Sequence, residues 1–203
     1  MNIPKKVCLL LALLSSLALT GCETINSQVT PFHKLEKAAD GRYGTYAFFI
    51  PPEKQGNLEF ETNLNRVRAY LNRNGFFEAP NRASADMLAF LNYSIISGGS
   101  TSTYRPPFVA KGDSAFAKGF NAGSGGGTGS ITTSDMYIRT INLRLAKVAA
   151  AGSPLQTVYD GTIVSQGESG DMNSVMPTMI KALFVEFPGR TGESVRRDLQ
   201  IEK

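Results

Sequence analysis

The alternation of apolar and polar residues along the chain predicts four β-strands. Ile141, Leu143 and Leu145 alternate with polar residues, which is typical of a strand with one buried and one solvated face. The segment "MLAFLNYSII" is apolar at consecutive positions in its first half, which indicates a central strand. The four predicted strands cover residues 43–50, 87–96, 137–148 and 155–164.

Two further segments have the periodicity of amphipathic helices. In the first, apolar residues recur at steps of three and four, and Gly75 follows as a stop signal. The second carries Pro177 in its first turn, where proline is tolerated, and ends before Pro188-Gly189. The apolar stripes are Phe60, Leu64, Val67 and Leu71 in the first helix, and Val175, Met176, Met179, Ile180, Leu183 and Phe187 in the second.

These elements follow one another in the order β-α-β-β-β-α. The predicted fold class is α+β, with a small antiparallel sheet of about four strands and two helices packed on one of its faces. Residues 43–189 are expected to form this single domain, and residues 190–203 a polar tail.

The first 21 residues have the features of a secretory leader. Lys5 and Lys6 precede an apolar run over residues 7–19, which is shorter than the roughly 20 residues needed to span a bilayer. No polar face interrupts this run, which disfavours the alternative of a buried N-terminal helix. The stretch "LTGC" at its end resembles the lipobox of bacterial lipoproteins. The resemblance implies a signal peptide over 1–21, cleavage between Gly21 and Cys22, acylation of Cys22, and a lipidated tether over 22–42.

Removal of such a leader changes the composition. The formal net charge falls from +4 to +2, because the leader carries two lysines and no acids, and no Lys/Arg cluster of the kind that binds nucleic acid remains. Cys8 is lost with the leader and Cys22 is acylated, so no thiol is left for a disulfide, a metal or a nucleophile. His33, the only histidine, falls in the predicted tether, and no cofactor or metal is expected.

Residues 97–130 interrupt the predicted order with a glycine-rich loop. It holds nine of the twenty glycines, and its middle carries Phe108, Phe116 and Phe120. Two interpretations are open: a flexible loop whose aromatics fold back on the domain, or a contact element for a partner or a lipid surface. A phosphate-binding loop is disfavoured, because the segment leads into a strand and lacks the lysine that such loops place beside phosphates.

The layout of the chain resembles bacterial lipoproteins that carry the domain of unknown function 4136. The resemblance rests on the order of short motifs: "TYAFFIPP" from Thr45, Leu71 with Gly75-Phe76, "ADMLAF" from Ala85, "VYDG" from Val158, and a last helix ending in Phe187-Pro188. It implies an envelope lipoprotein of α+β fold with no established activity, and it transfers no catalytic residue.

The leading functional expectation is a non-enzymatic, lipid-anchored envelope protein. It would be a binding or structural component on the periplasmic face of the outer membrane, held there by acyl chains on Cys22. Phe108, Phe116 and Phe120 are the candidate contacts with an envelope partner. The alternative is an envelope hydrolase with a Ser/Asp site, and the oligomeric state stays open.

Overall fold

The structure is a computed structural model that describes residues 24–105, 130–148 and 154–201. This part of the chain forms seven strands and two α-helices. The elements are β1 (Thr24–His33), β2 (Gly44–Phe48), α1 (Leu58–Arg73), β3 (Phe76–Glu78), β4 (Met87–Arg105), β5 (Ser130–Lys147), β6 (Gln156–Gly167), α2 (Met172–Phe184) and β7 (Val195–Gln200). Short 3₁₀ turns at Pro52–Lys54 and Arg82–Ser84 complete the described elements.

The seven strands form one mixed sheet in the order β3-β2-β4-β5-β6-β1-β7. β2 runs parallel to both β3 and β4, and the other neighbouring pairs are antiparallel. The predicted fold class, a small antiparallel sheet of about four strands, was therefore wrong. The four predicted strands correspond to β2, β4, β5 and β6, and the sheet gains β1, β3 and β7.

Two of the added strands lie in segments that the sequence had assigned to flexible ends. Thr24–His33, within the predicted tether, is β1 and pairs with β6 on one side and β7 on the other. Val195–Gln200, within the predicted tail, is β7. The alternation of β1 is weak as a hydrophobic signal, because its buried face contains Ser27 and Pro31 as well as Ile25 and Val29. Pairing on both edges, and not apolar content, makes this segment a strand.

The predicted glycine-rich loop over 97–130 is also shorter than expected. β4 continues to Arg105 and β5 begins at Ser130, and the two strands pair over this whole length with an irregularity between Ser97 and Gly99. Gly99 has φ +94, a backbone conformation that glycine adopts without strain.

Both helices pack on the same face of the sheet. α1 buries Phe60, Leu64, Val67 and Leu71, as the periodicity predicted, and Asn57 caps it by accepting a hydrogen bond from Phe60 N–H. α2 begins after Asp171, which caps Asn173 N–H, and ends at Phe184. The two helices share one core cluster with Ile141, Leu143 and Ile163 of the sheet. In the described part of the chain, the other sheet face carries no α-helix. Neither of the two described α-helices is long and apolar enough to cross a bilayer.

Aromatic packing connects the end of α2 to the sheet. Phe187, just beyond the helix, contacts Tyr159 of β6 with ring centroids 4.8 Å apart, and Phe184 at 5.2 Å. Tyr159 is buried and lies over Gly161, where any larger residue would collide with its ring. Burial raises the pKa of the Tyr159 hydroxyl, so this ring stays neutral. These contacts fix where the chain leaves α2, and so position the segment that follows.

A carboxylate just before β4 joins this strand to β2. Asp86 Oδ2 accepts hydrogen bonds from both the backbone N–H and the hydroxyl of Thr45, each at 2.7 Å. The Thr45 hydroxyl in turn accepts from Asp86 N–H at 3.0 Å. These hydrogen bonds hold the pKa of Asp86 below its ordinary value.

The two faces of β5 give a direct test of the sheet. We expect Ile141→Asp to unfold the domain, because Ile141 is fully buried and an unpaired buried carboxylate costs several kcal/mol, against a typical domain stability of about 5–15 kcal/mol. The matched control is Thr140→Asp, because Thr140 is the neighbouring residue of β5 and lies on the opposite, helix-free face. Circular dichroism melting checks both, and equal melting temperatures would show that the faces are wrongly assigned.

Asp86 gives a prediction about pH. Because its folded pKa is lowered, its stabilising contribution is present above the unfolded pKa and is lost as pH falls through the folded pKa. Asp86→Asn keeps an acceptor oxygen but loses the charge. We expect a lower melting temperature at neutral pH and a flatter acid dependence, measured by thermal melts at decreasing pH. Glu53→Gln, at an exposed position, is the control, and identical pH profiles for wild type and Asp86→Asn would contradict the assignment.

Candidate functional site

A cleft of about 540 Å³ lies between β1, β7 and the end of α2. Its walls are apolar, and four charged residues stand among them. The apolar lining residues are Val29, Pro31, Leu183, Val185, Pro188 and Val195, and the charged ones are Glu186, Arg190, Glu193 and Arg197, with Gly189 at the turn. The chain that follows α2 therefore forms one side of the cleft, and the edge of the sheet forms the other.

Hydrogen bonds tie the segment after α2 to β1. Gly192 N–H donates to Pro31 O at 2.8 Å, and the Thr191 hydroxyl donates to His33 O at 3.0 Å. His33 Nδ1 accepts from Leu35 N–H at 3.3 Å, which leaves Nε2 as the protonated nitrogen that donates to Gly189 O at 3.1 Å. The only histidine is thus a structural residue at the end of β1, and not a solvated tether residue as the sequence indicated.

Two residues of this segment adopt left-handed backbone conformations. Gly189 has φ +80, and a Cβ at that position would lie 2.8 Å from Pro31 Cγ, so the turn requires glycine on both counts. Glu186 has φ +58, which is uncommon for a residue with a side chain. Its ion pair with Arg197 holds it in place. Such conformations persist where the surroundings determine them, and they are common at binding sites.

Arg197 is the main electrostatic feature of the cleft. Its side chain is only 16% exposed, and its Nη2 donates to Glu186 Oε2 at 2.6 Å and to Val185 O at 3.3 Å. Its Nε is buried and has no hydrogen-bond partner among the described residues. Arg197 lowers the pKa of the Glu186 carboxyl through its hydrogen bond and its charge. At the exposed rim, Arg190 and Glu193 form a second ion pair at 3.6 Å.

This arrangement suits binding of a ligand with an apolar body and an acidic group. The apolar walls can bury the body, and a guanidinium can donate to a carboxylate, sulfonate or phosphate with strong, charge-assisted hydrogen bonds. Glu186 competes with such a ligand for Arg197.

A second, smaller concavity lies on the helix-free face of the sheet. It has a volume of about 350 Å³ and is lined by Asn26, Gln28, Val164 and Gln166. These amide side chains offer both donors and acceptors, but no group that titrates. Within the described ranges, no three His, Cys, Asp or Glu residues come close enough together to hold a metal ion.

The structure does not describe the residues that the sequence singled out. Gly21, Cys22, Phe108, Phe116 and Phe120 are all outside the described residues, so their roles stay predictions. The cleft is not evident from the sequence, because Glu186 and Arg197 stand eleven positions apart in mostly polar segments. One signal was present: Val195, Arg197 and Leu199 alternate, which places an arginine on the apolar side of a strand.

No family model matches this chain, and no curated protein is significantly similar to it in sequence. Among solved structures, a PDZ domain protein from Parabacteroides distasonis is similar with a TM-score of 0.46 and 12% identity, over 92% of this chain. This chain spans 42% of the length of that protein.

Two further solved structures are similar at lower scores. A DUF4136 family protein from Bacteroides thetaiotaomicron has a TM-score of 0.39 and 13% identity, over 81% of this chain and 98% of its own. A PelC dodecamer from Paraburkholderia phytofirmans has a TM-score of 0.36 and 12% identity, over 77% and 94% of the two chains. Likenesses this distant carry no argument about the function of this chain.

Three variants test the cleft with anilinonaphthalene sulfonate, a fluorescent apolar anion. We expect Arg197→Gln to weaken its binding about tenfold or more, because a hydrogen bond to a charged group contributes about 1.5–3 kcal/mol. Glu186→Gln should strengthen binding, because it removes the competing carboxylate. Arg196→Gln is the matched control, since Arg196 is the neighbouring residue on β7 and is 70% exposed. Binding is measured by fluorescence titration, after melting curves confirm that each variant folds. Equal affinity of the dye for Arg197→Gln and Arg196→Gln would rule out this cleft as its binding site.

Proposed function

We propose that this chain is a lipid-anchored, non-enzymatic binding protein of the cell envelope, on the periplasmic face of the outer membrane. Its family, in this proposal, is that of the bacterial lipoproteins with the domain of unknown function 4136. The family assignment is supported by the order of motifs from "TYAFFIPP" to Phe187-Pro188.

The anchor part of the proposal is supported by the leader and by Cys22. Lys5 and Lys6, the apolar run and "LTGC" stand in the order that export, cleavage and acylation require. Each buried methylene of an acyl chain contributes about 0.8 kcal/mol, so two or three chains give durable attachment. β1 begins at Thr24, two residues after Cys22, and two residues span at most about 7 Å. The anchor would therefore connect almost directly to the sheet.

The binding part of the proposal is supported by one observation, the cleft beside Arg197. Its segment after α2 is held by hydrogen bonds to β1, so the site is formed before any ligand arrives. A preformed site saves the free energy that would otherwise be spent on ordering it. Apolar walls with one largely buried guanidinium fit an amphiphilic, acidic ligand better than they fit a catalytic set.

Replacement of the acceptor sulfur tests the anchor. We expect Cys22→Ser to abolish acylation and to accumulate the uncleaved precursor, because serine has no thiol for the thioether. Cys8→Ser is the matched control, since Cys8 lies within the leader and outside the lipobox, and it should be processed normally. Intact-mass measurement and labelling with a fatty-acid analogue report both steps. Mature-sized, membrane-bound protein from Cys22→Ser would refute the anchor.

A further inference from the structure

A two-stranded ribbon extends from one end of the sheet. β6 pairs with β5 only as far as Tyr137↔Gly167, but β4 and β5 continue to pair beyond this level, from Gly99↔Met136 to Arg105↔Ser130. Residues 99–105 and 130–136 form this extension, here called the ribbon. Strands rise about 3.4 Å per residue, so the ribbon extends roughly 20 Å past the level of Met136.

The chain enters the sheet at this same end. Asn26 of β1 pairs with Gln166 of β6, and Gln166 pairs with Ile138 of β5. Asn26 of β1 is therefore level with Ile138 of β5. Two residues earlier in each strand, Thr24 is level with Met136. β1 and β5 are separated by β6 alone, which puts them about 10 Å apart. The start of β1 and the base of the ribbon are therefore neighbours.

The position of Cys22 relative to the ribbon follows from chain length. Cys22 precedes Thr24 by two residues and so lies at most about 7 Å from it. The ribbon extends about 20 Å beyond the level of Thr24 and Met136. Its tip therefore lies roughly 13 Å beyond the farthest point that Cys22 can reach in the same direction. A bilayer that holds acyl chains on Cys22 therefore meets the ribbon as well.

We infer that the ribbon lies in the lipid headgroup layer of the membrane that anchors Cys22; this inference rests on the anchor proposed above. Beyond Met136 at its base, the described ribbon side chains are polar: Ser100 donates to Asp135 at 2.7 Å, and the hydroxyls of Ser102 and Thr133 lie 3.2 Å apart. Lipid headgroups can form hydrogen bonds with such polar side chains.

The ribbon cannot enter the hydrocarbon core of the bilayer. Among the described residues, β5 pairs only with β4 over 130–136, and β4 meets β2 only at Met87–Ala89, so both outer edges of the ribbon are unpaired. Unpaired backbone groups cost several kcal/mol each in hydrocarbon. The ribbon must therefore run along the membrane surface, which inclines the whole sheet to it.

The sequence makes a site-specific test simple. With Cys8 removed and Cys22 acylated, an introduced cysteine is the only free thiol. Ser102→Cys places a fluorescent label on the ribbon. Thr157→Cys places it at the opposite end of β6, ten residues or about 34 Å from Gly167. Both positions are exposed, and melting curves check that the labelled proteins fold.

The experiment uses the full acylated protein in phosphatidylethanolamine and phosphatidylglycerol vesicles with nitroxide on the lipid headgroups. We expect several-fold stronger quenching of the label at Ser102→Cys than at Thr157→Cys, and weaker quenching at Ser102→Cys when the nitroxide is deep in the acyl chains. Equal quenching at the two positions, or an unquenched ribbon on protein of acylated mass, would overturn the inference while the anchor stands. A mass without acyl chains would overturn the anchor, and the inference with it.

Discussion

The pairing of β1 between β6 and β7 is the constraint on which the rest of the structure depends. β1 comes from the start of the described chain, and both of its partners come from the last quarter. Without β1, β7 would have no strand to pair with, and the segment after α2 would lose the carbonyls of Pro31 and His33 that hold it. The same strand sets the end of the sheet at which the chain enters. The cleft and the position of the ribbon relative to the start of β1 both follow from this one pairing.

A row of polar residues across the helix-covered face shows how the register of these strands is specified. Arg139 of β5 pairs with Ser165 of β6, Ser165 with Ser27 of β1, and Ser27 with Arg197 of β7. A shift of one residue in any strand would move an apolar residue out of the core and a polar one into its place. Ser27 also donates to Arg197 O at 3.0 Å, which gives β1 and β7 a side-chain bond as well as their ladder.

The cleft and the ribbon lie on different parts of the sheet and would serve different contacts. The cleft opens where β1 and β7 meet the end of α2, toward the His33 end of β1. The ribbon leaves the sheet at the Thr24 end. Val29 and Pro31, the β1 residues that line the cleft, lie five and seven residues from Thr24, about 17 and 24 Å along the strand. The proposed anchor and the proposed binding site are thus compatible in one molecule.

The sequence by itself determined the two helices and the four strands with continuous or alternating apolar residues. Their signals are local: the stripe from Phe60 to Leu71 with its stop at Gly75, and the alternation around Leu143, each arise from one segment burying its own apolar face. β1, β3 and β7 were decided only by the tertiary structure. β1 buries serine and proline along with Ile25 and Val29, β3 has three residues, and β7 carries two arginines and an aspartate, so none has enough apolar content to be recognised alone. Their backbone groups are satisfied by strands far away in the chain, and Arg197 finds Glu186 only after β7 has paired. Pairing between distant segments leaves only a weak alternation in each of them, which is why the extent of the sheet and the whole cleft had to come from the folded structure.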